Sequence, residues 1–356
     1  MRAFLSAPPR LAALALLIAL SACDSTSSAN SAWEDYLTRL SRVLDVAIPD
    51  PAPPPYPQFP RTRELALTFS QSDINLLEFL RLRRCKLRET LAERNSILGR
   101  HGDASSHLIF DLRFLNEAPA CIEELKADDD SELAQALIDA QASKQRDLPA
   151  RLFMALLAGK EFRQIWQPPQ RQRDYPPQEA DPAVQALRQW QRWQAAWLRG
   201  EWQHSGDALL ESLGQLRHGR GGELLAFQQT TLDGLRRSTA MIRQRVEGRP
   251  LCLNRQPINE ARYFQNVVSQ FFITGLQRQA SDANRHQLAL LGAVRQIEAD
   301  LAGALSASGN AIPETYRQWQ RQRDALLDAA KAAQRDHVAA VEALLSQCGL
   351  APGREP

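Results

Sequence analysis

Neither sign of charge dominates this 356-residue chain, and its longest apolar run, Leu11 to Leu20, is half the length needed to cross a bilayer. Lys and Arg total 43 against 41 Asp and Glu, and Arg2 and Arg10 account for the whole difference. The remainder is balanced, which argues against a nucleic-acid partner, since such proteins present a basic surface that displaces phosphate counterions. Histidine is sparse. The closest pair, His101 and His107 with Asp103 between them, is six apart. That spacing does not share a helix face as zinc ligands on one helix must, so these read as polar loop residues. His204 and His218 sit near expected helix ends, where imidazoles meet terminal carbonyls.

The motifs of common chemistries are missing as well. There is no Gly-x-Ser-x-Gly nucleophile elbow. The cluster His218-Gly219-Arg220-Gly221-Gly222 lacks the Lys and Ser/Thr of a phosphate loop and follows no strand, so it reads as a helix–helix turn. Glu123, Glu124 and Asp128 to Asp130 precede a capping Ser131, and their charge suits a helix N-terminus. No catalytic residue, metal or cofactor is assigned. A pair of carboxylates remote in sequence stays open.

What is present begins with an address. Arg2 and Arg10 precede the ten-residue apolar run, as in a signal peptide, and Leu20-Ser21-Ala22-Cys23 follows at once. This tetrad resembles a bacterial lipobox, which implies cleavage before Cys23, diacylglycerol on its thiol, and a palmitate-type acyl anchor on the periplasmic face of the envelope. Asp24 resembles a retention signal that favours the inner over the outer membrane. Residues 1–22 are thus a signal peptide and 23–60 a lipid-anchored tether, short helix and Pro-rich linker. The helix carries Trp33, Tyr36, Leu37, Leu40, Val43 and Leu44 at helical spacing. This stripe packs on the protein or lies on the membrane. Seven prolines from Pro49 to Pro60 make the linker extended.

Residues 61–356 read as a helical body, with a candidate subdomain boundary at 168–181. Helical patterns run from Ser72 to Leu98, His107 to Ala118, Ser131 to Ala158, Pro182 to Gly200, Gly222 to Glu247, Pro257 to Gln279, Ser281 to Ser306 and Pro313 to Gln347. Stops fall at Gly99, Pro119, Gly159 and Gly200, and Asp181-Pro182 supplies an N-cap with proline at the first helical position. Arg63 to Phe69 is the one alternating stretch. One strand makes no sheet, so the fold class is all-α, a multi-helix bundle of antiparallel helices stapled by disulfides.

Two stretches are candidates for binding. Trp190, Trp193 and Trp197 share a helical face with Trp202 just beyond, a pattern that fills gaps between helices or else stacks on sugar or lipid. Arg94, Asn95 and Arg100 lie in the polar run 94–106. The basic cluster Arg81, Arg83, Arg84, Lys86 and Arg88 reads as a solvated helix face, with anionic lipid or acidic protein as the alternative.

The lipobox, the stretch LLEFLRLRRCKLRETLAERNSILGR from Leu76 to Arg100, and the late Cys252 and Cys348 together resemble a family of bacterial lipoproteins known only as a domain of unknown function. The resemblance implies no activity or catalytic residue. Export places Cys85, Cys121, Cys252 and Cys348 in an oxidising space where an even set pairs. Cys85 and Cys121 lie thirteen and fourteen residues from a reversal at 99–106, hence level on a helical hairpin. Elimination leaves Cys252 with Cys348, against a count of three intervening antiparallel helices; a long continuous helix, a bend or a crossover would bring them together. The expected function is a non-enzymatic, lipid-anchored binding or scaffold protein. Its partners would be the membrane and an envelope protein, peptidoglycan or lipid. The alternatives are an envelope hydrolase with a non-contiguous site and a helical ligand-sensing domain.

Overall fold

The computed structural model describes residues 29–69, 82, 85–169, 175–254 and 256–350. The leader, Cys23, the sequence 70–81, and Arg83 and Arg84 lie outside them, and so does much of the expected helix from Ser72. The described chain is helical: α1 (Ala29–Leu44), α2 (Leu87–Asn95), α3 (Ile97–Arg100), α4 (Ala104–Ala127), α5 (Ser131–Ala155), α6 (Lys160–Ile165), α7 (Pro182–Leu198), α8 (Gly206–Leu216) and α9 (Gly221–Glu247). A two-residue hairpin, β1 (Cys252–Leu253) and β2 (Gln256–Pro257), follows. Then come α10 (Asn259–Val267), a π-helical segment (Val268–Gln277), α11 (Arg278–Ala307) and α12 (Glu314–Gln347). Among the described residues no helix is long and apolar enough to cross a membrane.

α1 buries Trp33, Tyr36, Leu37, Leu40 and Leu44, so its stripe faces the protein. Trp33 lies flat on Gly234 of α9, where a Cβ would stand 2.3 Å from the indole. The Tyr36 hydroxyl meets His337 Nε2 at 3.0 Å, and His337 Nδ1 lies 3.2 Å from both Ser238 and Thr239. These contacts set α1, α9 and α12 side by side in one direction, and Gln347 at the end of α12 reaches the Val246 carbonyl near the end of α9. α10 and the π segment run back the other way, with Phe272 stacked on Tyr36. The Pro-rich linker is extended as expected, but it is strapped along α9 rather than swinging free. Arg237 Nε donates to Pro49 O at 2.9 Å, the Ala52 amide donates to Asp233 at 2.8 Å, and Gln229 donates to Pro54 O.

The main core gathers Phe59, Phe153, Phe162, Trp166, Tyr316 and Trp319 edge to face. Arg323, with no exposed surface, lies over Trp319 and makes a two-pronged bond to Glu298 at 2.8 and 3.0 Å, while Tyr316 donates to the same carboxylate at 2.9 Å. Residues on both sides of 168–181, such as Trp166 and Trp190, belong to this one core. A smaller core joins Leu82, Leu87 and Leu91 to Phe114, Ile122, Leu133 and Leu137 of the α4–α5 hairpin.

Several helix limits differ from the sequence reading, each for a local reason. α4 passes through Pro119 instead of stopping before it. Proline in a helix interior costs about 3 kcal/mol, and burial of Ala118, Cys121, Ile122 and Leu125 on that stretch offsets it. α2 stops at Asn95 because Ser96 starts a new turn, its Oγ accepting from the Gly99 amide at 3.0 Å. The N-cap of α5 is Asp130, not Ser131. Residues 63–69 form no strand; a 3-10 turn, Thr62–Glu64, starts them and Leu65 plugs the core. α10, the π segment and α11 follow one another without a break, where two separate helices were expected. α8 was not anticipated.

Both disulfides are formed, with Cα separations of 5.2 Å. Cys85 sits just before α2 instead of within a helix, so the first bond joins a loop to α4. The unbroken run from 259 to 307 removes one chain reversal and returns Cys348, at the end of α12, beside Cys252 after α9. That resolves the conflict with the helix count.

Candidate functional site

An open polar cleft of about 600 Å³ lies where α4, α8 and the 201–205 loop meet. Its titratable lining is Lys86, Arg113, Glu117, His204 and Asp207. The Cys85–Cys121 bond holds the start of α2 against α4, and so carries Lys86 and Thr90 to Glu117. Thr90 Oγ1 donates to Glu117 at 2.6 Å and Lys86 Nζ stands 3.8 Å from its other oxygen. Arg113, one turn before Glu117, pairs with Glu93 of α2 at 2.5 Å.

The other wall depends on the tryptophans. Trp190 and Trp197 are buried in the main core, and Trp193 is half-buried and stacked on Trp197 at 5.9 Å. Trp197 Nε1 donates to Gln203 O at 3.4 Å and its ring meets His204 edge-on, so this helix supports the loop, while of its three tryptophans Trp193 keeps a partly exposed side. His204 Nδ1 lies 3.0 Å from the Trp202 carbonyl. Burial, with Arg113 adding to it, pushes the His204 pKa down and favours the neutral ring. The recess therefore offers a neutral imidazole, two carboxylates (Asp207 and the hydrogen-bonded Glu117) and two cations to a polar ligand from solvent.

The other candidates fall elsewhere. Arg94 donates to Gly99 O at 3.2 Å within its own turn, while Asn95 and Arg100 are exposed. Between them Ile97 and Leu98 are 72% and 86% exposed, an apolar tip that the polar reading of this run missed. Asp103 caps α4: burial opposes its charge, but hydrogen bonds from Ser105, Ser106 and Lys160 hold its carboxyl well below the usual range. Burial, Arg94 and Arg151 lower the pKa of His107. Of the basic cluster, Lys86 edges the cleft and Arg88 is exposed on α2.

Sequence reasoning missed the buried polar clusters because their members are remote; besides the one around His337 and the Asp111 ion pairs with Lys144 and Arg151, there are two more. In one, His286 Nε2 meets Asp181 at 2.8 Å and Nδ1 meets the Tyr175 hydroxyl at 2.8 Å, while Asp181 also caps α7 and accepts from the Arg220 amide. Asp181 was foreseen as a cap only. The other is Glu298–Arg323–Tyr316. In each the carboxylate is held by its partners; Asp181 has no exposed side-chain surface, while Glu298 borders a surface recess of about 510 Å³.

No curated protein and no solved structure matches this chain. A family model does, over residues 33–352, which takes in α1 from Trp33 onward, both disulfides and both walls of the cleft, and the chain belongs to that family, DUF3080, described as a protein of unknown function.

Proposed function

We propose that this chain is a lipoprotein of the bacterial envelope, exported by its signal peptide, acylated with palmitate-type chains at Cys23, and held on the periplasmic side, at the inner membrane in preference to the outer. Its helical body binds or scaffolds an envelope protein, peptidoglycan or lipid. The observation that carries this reading is the pairing of all four body cysteines. Two buried disulfides suit an oxidising compartment, and the lipobox-like tetrad supplies the route.

Binding is favoured over turnover by how the buried acid–base groups are used. His337 is held by Tyr36, Ser238 and Thr239, His286 by Asp181 and Tyr175, and Glu298 by Arg323 and Tyr316. Each is spent on holding helices together. Crosslinking in intact cells tests the proposal: one stoichiometric envelope partner is expected. Turnover of a wall or lipid substrate by the purified protein would overturn it. A second reading, a hydrolase using the cleft, rests on Glu117 and His204 lining one recess; Glu117→Gln and His204→Ala would then abolish that turnover.

A further inference from the structure

From Tyr263 to Gln277 the chain carries no charged residue. Its outward positions are Tyr263, Gln265, Asn266, Ser269, Gln270, Ile273 and Thr274, with Tyr263 57% and Ile273 52% exposed. The ten-residue π segment lies within this stretch; π-helical turns are uncommon and concentrate at functional sites. Here the inward positions Val268, Phe272 and Leu276 meet the core and Ile273 is left outside. Alongside, α1 and this stretch enclose a groove of about 310 Å³ into which Arg39, Arg42 and Tyr263 point, and the Arg39 guanidinium lies 3.9 Å over the Phe271 ring. Arg42, Arg262 and Arg278 stand exposed around the uncharged face, and Arg39 is neutralised by Asp35 at 3.0 Å. The nearest acids along this helix, Glu260 and Asp282, fall beyond the two arginines that end the stretch.

The position of this face relative to the chain's start names its occupant. α1 is antiparallel to the π segment: Val43 shares the groove with Tyr263, and Tyr36 stacks on Phe272. Ala29, where α1 begins, therefore lies toward the Gln277 end. Cys23 precedes it by six residues, a reach of at most about 20 Å when extended. A lipid-anchored Cys23 would hold this end of the helix pair against the bilayer. An uncharged face with a tyrosine and an isoleucine, rimmed by arginines, suits the interfacial zone, where apolar groups enter the acyl boundary and cations meet phosphate.

We propose that the face from Tyr263 to Thr274, with Arg42, Arg262 and Arg278 at its rim, lies on an anionic phospholipid surface and fixes the orientation of the tethered body. The proposal rests on the lipoprotein reading. The test uses full-length lipidated protein carrying Ile273→Cys labelled with a polarity-sensitive fluorophore; the native body thiols are already paired. The probe surface is vesicles of phosphatidylglycerol and phosphatidylethanolamine. Emission at position 273 should rise about two-fold or more on entering the interface and be quenched by spin-labelled lipid. The same label at Leu210→Cys, on α8 beside the polar cleft, should not respond. Arg42→Glu with Arg262→Glu should reduce the response at 273 while the protein still sediments with vesicles. An unresponsive label on protein that is acylated and vesicle-bound would overturn the docked face and leave the anchor standing. Absence of lipid on Cys23 would overturn both. A response that follows protein concentration in the absence of vesicles would assign the face to a second copy and overturn the proposal.

Discussion

The two cores of this protein are held together by different means. In the main core, large aromatic rings and a buried ion pair are enclosed by helices that come from the whole length of the chain, α1 and α12 included. Among the described residues the smaller core has a single large aromatic, Phe114, among Leu, Ile and Ala, and its link to α2 is reinforced by Cys85–Cys121 and the Thr90–Glu117 and Arg113–Glu93 bonds. Each region holds one disulfide, Cys252–Cys348 in the first and Cys85–Cys121 in the second, but the first adds extensive aromatic packing, whereas the second adds a few leucines and polar contacts. The candidate cleft lies between the two, and its Lys86–Glu117 wall belongs to the second, where local opening requires less disruption.

The largest loss of stability is expected in the main core, at Glu298. Glu298→Ala leaves the Arg323 guanidinium, which has no exposed surface, with Asp324 at 3.0 Å as its remaining acid, and removing one partner of a buried pair costs up to about 3–5 kcal/mol. Urea unfolding should show a loss of that order; a loss below about 1 kcal/mol would mean that Arg323 finds water or another partner.

Trp190→Ala comes next, at about 3–5 kcal/mol for a fully buried indole. Trp193→Ala, at a half-buried neighbour, should cost clearly less. Equal effects in thermal melts would contradict the division of the tryptophan face into a core side and an outer side.

His337 sharpens the account of the main core by pH. Burial among neutral partners lowers its pKa from 6.5 to about 3, so the folded state binds fewer protons than the unfolded one between those values. Its contribution is complete above about pH 6.5 and is lost as the pH falls toward 3. The loss approaches about 1.4 kcal/mol per pH unit once the unfolded state is protonated. Urea melts at pH 6 and pH 4.5 should show this slope, reduced by that amount in His337→Gln. An unchanged slope in the variant would place the proton uptake elsewhere.

The smallest effect on the global midpoint belongs to the smaller core. In Cys85→Ser with Cys121→Ser, limited proteolysis should open the chain around 85–100 while the main unfolding transition stays in place. The chain-entropy limit for this loop is about 4 kcal/mol, but it is spent on local opening. Cooperative loss of the whole fold would show that the two cores are one unit.

How far the sequence foretold this arrangement depended on the range of the interaction. Asp181-Pro182 and Gly200 marked the ends of α7 correctly, with Gly200 at a φ of 92° that favours glycine. Cysteine parity and compartment pointed to both disulfides. Pro119 misled because its helical cost is local while the burial that offsets it is tertiary. The π segment was hidden because its apolar residues also fit an ordinary helix with a stop. Tyr36 and His337, 301 residues apart, carry no local sign that they will meet. The cleft is of the same kind: Lys86 reads as part of a solvated helix face, His204 as a residue near a helix end, and nothing local singles out Glu117; the disulfide and the tryptophan helix bring them together.

The proposed location and the docked face both depend on an acyl anchor at Cys23, and metabolic labelling with a fatty acid tests that anchor. Wild-type protein should take up label and be shortened before Cys23, whereas Cys23→Ala should remain an unlabelled, full-length precursor. Label retained in Cys23→Ala, or none in the wild type, would contradict the account.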